Sequence, residues 1–289
     1  MKIIYIHGRD QQGKDPVKLK EEWDNALRKG LKAAGLQWPA GATTHLPFYG
    51  DTLIDLVEQY DKDPASGLAA RSGGAPTDDE LHFRSEMLEE IAALNGISDQ
   101  EIANTSGVSL SEKGPLNWSW VQGILKALDK TKLGGKAINA FTHDVYLYLT
   151  VPGIRRRIDA FIAENLPKET CLVVSHSLGT VVAYNVLRNA AAPTASPRFI
   201  TLGSPLGLRA VKTQLAKPLR MPPNTNAWHN AYDDGDVVAL QPLDRNNFDI
   251  DPAIVNHGKV KNHTDNQHGI SGYLDDPLVA KWIHEAATS

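Results

Sequence analysis

What this 289-residue chain has little of narrows the field first. It holds one cysteine, Cys171, inside an apolar run, so neither a disulfide framework nor a thiolate metal site can be built. It has no marked excess of either charge. Lys and Arg total 30 against 34 Asp and Glu, and a net charge of -4 leaves no electrostatic footprint for nucleic acid. The Arg155-Arg156-Arg157 run is short and reads as a solvated helix face. No apolar run approaches the roughly 20 residues needed to cross a membrane. The opening Met-Lys-Ile-Ile-Tyr-Ile-His-Gly lacks the apolar core length and cleavage site of a signal peptide, and the expectation is a soluble, cytoplasmic protein. No internal repeat is visible.

What is there is organised around Thr170 to Thr180, T-C-L-V-V-S-H-S-L-G-T. Cys171 to Val174 has the length and β-branching of a buried parallel strand, and it runs without a spacer into Ser-His-Ser-Leu-Gly and a helical segment, Val181 to Asn189. A turn that tight needs small residues where the chain crowds its neighbours, and Ser175 and Gly179 flank Ser177 by two positions on each side. The middle serine is then strained and exposed above the sheet edge, at a helix N-terminus whose free N–H groups favour developing negative charge. Ser177 is the candidate nucleophile. The pentapeptide alone is weak evidence, expected by chance in about one chain in three of this size, so the rest of the chain must supply a base, an acid and an oxyanion site.

Taken in order, Lys2 to Ile6 reads as a first strand ending in His7-Gly8-Arg9-Asp10. Asp15 to Gly35 carries Val17, Leu19, Trp23, Leu27, Leu31 and Ala34 at helical spacing, with Asp15 or the residue before it as cap and Pro16 in the first turn. Thr43 to Phe48 is a second strand and Thr52 to Asp61 a helix. Pro64 to Thr77 reads as a loop. Helical stripes follow over Asp79–Asn95, Leu116–Lys130 and Ile138–Thr150, and Val151 to Leu166 returns the chain to the serine strand. Residues 61–150 are therefore an insertion, in the position of a cap or lid, between core segments 1–60 and 151–289. Trp118, Trp120, Phe141 and Tyr148 are candidates to line an acyl pocket there or to pack the insertion. Later strands are expected at Phe199–Leu202, Ala227–Tyr232 and Lys259–Asn262, with a final helix over Pro277–Ala287. The pattern predicts an α/β fold with a mainly parallel, doubly wound sheet of about six strands.

Three other chemistries fail on their own requirements. Gly8-Arg-Asp-Gln-Gln-Gly-Lys14 matches a phosphate loop until its last position, where Asp15 would repel phosphate instead of holding magnesium. Ser98 to Ser109 faintly suggests a helix-turn-helix, but in an acidic chain it reads as two short helices. His257, His263, Asp265 and His268 have no metal-ligand spacing, and His284-Glu285 lacks the second His of a zinc protease motif. No cofactor and no metal are expected.

A serine nucleophile needs an imidazole to take its proton and a carboxylate to orient that imidazole. In doubly wound hydrolases these follow the serine in the order Ser, Asp, His. Here the fifth strand ends in Tyr232-Asp233-Asp234-Gly-Asp236-Val-Val-Ala239, and the last is followed by Asn262-His263-Thr-Asp-Asn-Gln-His268-Gly269. With these residues the chain resembles the α/β-hydrolase superfamily, and within it intracellular serine esterases and lipase-like members that begin at an His-Gly strand. The likeness covers positions 1–50 and 150–289; Ser175 departs from it, standing where the family more often has Gly. The resemblance implies Ser177 as nucleophile, Asp236 ahead of Asp234 and Asp233 as acid, and His268 ahead of His263 as base. It implies an oxyanion hole from the backbone amides of Arg9 and Leu178, and an orienting role for His7. The activity it implies is cleavage of a carboxylic ester, a small-molecule acyl substrate, through an acyl-enzyme. Acyl transfer by the same residues, or ligand binding without turnover, are the alternatives.

Overall fold

The structure is a computed structural model that describes residues 1–62, 77–189 and 198–288. The chain runs β1 (Lys2–Ile6), α1 (Pro16–Ala33), β2 (Thr43–His45), α2 (Gly50–Lys62), α3 (Asp78–Leu94), α4 (Asp99–Ser106), α5 (Trp118–Leu128), α6 (Gly135–Thr150), α7 (Pro152–Asn165), β3 (Cys171–His176), α8 (Leu178–Arg188), β4 (Arg198–Leu202), α9 (Arg209–Gln214), β5 (Ala227–Ala231), β6 (Val255–His257), α10 (Ser271–Leu274) and α11 (Pro277–Thr288). The loop expected over 64–77 lies, apart from Thr77, outside the described residues. The expected Ser98–Ser109 pair appears as α4 and a single 3-10 turn at Leu110–Glu112.

The six strands form one sheet in the order β2-β1-β3-β4-β5-β6, and every pairing is parallel. Such a sheet is covered on both faces, and β3 is buried along its whole length. Ile3, Tyr5, Leu172, Val174, Ile200 and Leu202 share one core with Trp23 and Leu27 of α1, Leu274 of α10 and Ile283 of α11. The alternate face carries Phe199 and Trp228, ring centroids 4.8 Å apart, with Tyr184 of α8 stacked on Trp228 at 5.3 Å. Helices therefore lie on both faces, as the apolar runs predict.

The order reverses between β1 and β3. From β1 the chain steps outward to β2, then crosses back to lay β3 on the other side of β1. At such a switch point the loops leaving two neighbouring strands diverge and open a crevice at the carboxyl ends of the strands, which is where open α/β sheets bind ligands. The His7-Gly8 and Ser177 turns are the two loops that leave there.

Three sequence expectations need correction. The sixth strand is Val255–His257, not Lys259–Asn262. Lys-Val-Lys-Asn alternates as a strand should and does bury Val260 and Asn262, but the Asn262 amide donates to the Asp233 carboxylate instead of to β5. Val17 does not join the α1 stripe and stands 63% exposed, because it falls in the first turn, where its amide goes to the Asp15 cap. Trp118 is 43% exposed at the start of α5, whereas Trp120, Phe141 and Tyr148 are buried.

The chain divides into two compact units. One comprises Met1–Ile54, Arg156–Gly207 and Leu215–Ser289 and contains the sheet; the other comprises Asp55–Arg155 and Leu208–Gln214 and is helical. The short α9 belongs to the second through its own ion pairing: Arg209 Nε lies 2.7 Å from Glu86, and its amide donates to Glu90 at 2.8 Å. At the centre of the helical unit Glu80 accepts from buried Arg84 at 2.7 Å and pairs with His143 at 3.0 Å. That contact with Glu80 raises the His143 pKa against the opposing effect of burial.

Candidate active site

Ser177 links the end of β3 to the start of α8 with φ 55° and ψ −131°, a backbone state that non-glycine residues avoid. It is held there from both sides. Its amide donates to Leu202 O at 3.1 Å, and its carbonyl accepts from the Thr180 amide at 2.9 Å and hydroxyl at 2.7 Å. Glycine at 179 is required by the next strand. A methyl group there would sit 2.8 Å from the His7 carbonyl carbon and closer still to the carbonyl oxygens of Ile6 and His7. Ser175, two residues before Ser177, fits because its hydroxyl donates to Ile200 O at 3.2 Å.

The imidazole and carboxylate arrive from far along the chain. Ser177 Oγ lies 2.8 Å from His268 Nε2, and His268 Nδ1 lies 2.6 Å from Asp236 Oδ2. The serine is 2% and Asp236 0% exposed, and the imidazole between them 12%, so only the middle of this line of hydrogen bonds reaches water. With Asp236 as acceptor, Nδ1 carries the ring proton, and Nε2 is left to accept from the serine hydroxyl.

The other carboxylates and imidazoles named from sequence go elsewhere. Asp233 is buried and binds the amides of Gly235, at 2.7 Å, and Asn262, which ties the turn after β5 to the loop that bears His268. Asp234 is exposed. His263 is 58% exposed and pairs with Asp275 at 2.7 Å, and His257 pairs with Asp276 at 3.3 Å. The histidines of the discarded metal reading thus face three separate carboxylates. Among the described residues no group of three or more His, Cys, Asp or Glu could hold a metal ion.

The loop after β1 passes directly over the serine. A Cβ at Gly8 would lie 2.7 Å from Ser177 Cβ, which puts the residue preceding the Arg9 amide against the serine, while the Leu178 amide opens α8 beside it. His7 fixes this loop. The Tyr49 amide donates to His7 Nε2 at 3.0 Å, so Nδ1 holds the proton and donates to Gly8 O at 2.7 Å. The Tyr49 hydroxyl donates to His7 O. Burial pushes the His7 pKa down to about 4, so the ring is a neutral strut.

The apparent phosphate loop is already occupied by carboxylates. Asp51 accepts the Gly13 amide at 2.7 Å, Asp15 accepts the Val17 amide at 2.8 Å, and Lys14 turns to the Gln11 side chain.

Two residues near His268 were not singled out from the sequence as site residues. His176, inside the Ser-His-Ser run, donates from Nε2 to His268 O at 2.8 Å and is kept neutral by burial, which lowers its pKa well below the usual value. Tyr273 donates to Asp236 Oδ2 at 2.5 Å. The position of His176 in the pentapeptide was the only available signal for the first; for the second there was only a tyrosine five residues after a candidate base.

The fold defines the class as α/β, with an all-parallel six-stranded sheet between helices. Among known proteins, no family model, no curated protein and no solved structure matches this chain. No helix among the described residues is long and apolar enough to cross a membrane.

Proposed function

We propose that this chain is a serine hydrolase of the α/β-hydrolase type that cleaves a carboxylic ester. The observation that carries the reading is the continuous hydrogen-bonded line from Ser177 through His268 to buried Asp236, set at the switch point of a parallel sheet. In this reaction Ser177 Oγ attacks the ester carbonyl as His268 Nε2 takes its proton, and Asp236 stabilises the imidazolium that forms. The amides of Arg9 and Leu178 receive the oxyanion. The tetrahedral adduct collapses with loss of the alcohol, which takes the proton from His268 and leaves an acyl-serine. Water then attacks that acyl-serine with His268 again as base, releasing the acid and restoring the serine.

A fluorophosphonate probe tests this, since serine displaces fluoride to form a stable phosphonyl ester. Wild type should label at Ser177, and Ser177→Ala should not. Arg9→Ala should label within a few-fold of wild type, because the donor is the backbone amide that the substitution leaves in place. Wild-type protein that stays unlabelled, or Ser177→Ala that labels equally, refutes the proposal. A chain-length series of chromogenic esters would then define the acyl group.

A further inference from the structure

We propose that Tyr273 is a positioning residue for the acid of this site, its hydroxyl setting how Asp236 holds His268. The inference rests on the serine-hydrolase reading and adds a fourth member to its line of residues. Asp236 is wholly buried and accepts three hydrogen bonds: His268 Nδ1 at 2.6 Å and Tyr273 Oη at 2.5 Å, both on Oδ2, and the Val238 amide at 3.2 Å on Oδ1. The phenol and the imidazole therefore compete for the same oxygen.

Tyr273 is placed to donate and not to drift. Its ring is fully buried, and burial together with the neighbouring Asp236 charge raises its pKa well above 10, so the phenol keeps its proton. Three residues before Asp236, Asp233 is also buried. The Asp233 carboxylate in turn binds the Asn262 amide at the root of the His268 loop. Tyr273 stands on α10, a helix that packs on α1 and follows the His268 loop directly, so its hydroxyl ties the turn that bears the acid to the chain just beyond the base.

Two effects follow from the shared oxygen. A hydrogen bond to a carboxylate spreads its charge, so the phenol lowers the attraction Asp236 exerts on a protonated His268. It also stops the carboxylate turning about its Cβ–Cγ bond, since the Val238 amide holds the other oxygen by one longer contact. The remaining titratable groups around the pair do not share this role. His176 packs on His268 with ring centroids 4.8 Å apart and is neutral, His7 is neutral down to about pH 4, and the Asp233 carboxylate is committed to backbone amides.

The test is the pH dependence of the fluorophosphonate labelling rate in wild type, in Tyr273→Phe and in a variant carrying 3-fluorotyrosine at 273. The phenylalanine variant keeps the ring and loses the donor. Its acid limb should move to higher pH by roughly half a unit to one unit, with a fall of about tenfold in the plateau rate. Fluorotyrosine, the stronger donor at unchanged shape, should move the limb to lower pH. A purely structural tyrosine would reduce the melting temperature and the plateau but leave the limb in place. An unshifted or downshifted limb in Tyr273→Phe, in a wild type that labels, overturns this proposal and leaves the hydrolase reading standing. A wild type that never labels overturns both.

Discussion

Gly179→Ala is the sharpest test of how the nucleophile turn is built. The added methyl would lie 2.8 Å from the His7 carbonyl carbon and nearer to the Ile6 and His7 oxygens, so relief needs a movement of roughly 1 Å. Nothing there gives way easily. The opposing atoms are backbone at the end of β1, which is paired with β3 up to Ile6, and the His7 carbonyl also holds the Tyr49 hydroxyl. Overpacking of a closed interior costs about 1–3 kcal/mol, and rigid backbone on the far side argues for the upper end, about 3 kcal/mol. At a urea dependence of about 3 kcal/mol per molar, the unfolding midpoint should fall by about 1 M. Tryptophan fluorescence can follow it, because Trp23, Trp120 and Trp228 are buried. Gly8→Ala is the companion variant. Its methyl would meet Ser177 Cβ at 2.7 Å and the His176 carbonyl oxygen and Ser177 Oγ at 3.2 Å each, fewer close backbone contacts than at 179 but enough to push the serine out of line. It should therefore lose most fluorophosphonate labelling with a smaller loss of stability. A Gly179→Ala protein that unfolds at the wild-type midpoint would show that α8 does not press on these carbonyls, and the account of the turn would fail.

Two further outcomes probe the charges. Because burial lowers the His7 pKa from 6.5 to about 4, the unfolded chain binds a proton in this window that the folded chain refuses. Stability should therefore fall as pH drops from 6.5 to about 4, with about 3 kcal/mol of that loss due to His7, and then level. His7→Asn should flatten the curve by that amount; parallel curves for variant and wild type would refute the assignment. In the helical unit, Glu80→Ala leaves the buried Arg84 guanidinium without its carboxylate and should cost about 3–5 kcal/mol. Hydrogen exchange should then accelerate across α3 and α6, and unchanged protection there would show that the pair is energetically idle.

Much of this architecture was legible because its requirements are local. A β-branched run reads as a buried strand wherever it stands, Asp15 before Pro16 marks a helix start by its own hydrogen bonds, and the Ser-x-Gly turn follows from the space two backbones leave. Residues 259–262 show where such reading stops. Their alternation is that of a strand, yet the Asn262 amide is claimed by Asp233, a residue 29 positions earlier that no local pattern could consult. The aromatics that were candidates to line an acyl pocket or to pack the insertion make the same point, since Trp118 and Trp120 stand on one helix and are 43% and 0% exposed.

The amino-acid order by itself determined the α/β class, the strand-turn-helix that strains Ser177, and the two short stretches that hold the candidate carboxylates and imidazoles. Only the tertiary structure decided which carboxylate of Asp233, Asp234 and Asp236 meets the imidazole, that His268 and not His263 faces the serine, and that Tyr273 and His268 share one oxygen of Asp236. The physical reason is separation along the chain: His268 stands 32 residues from Asp236 and 91 from Ser177. Their side chains meet only because helices packed on both faces of one parallel sheet fix where its carboxyl-end loops converge.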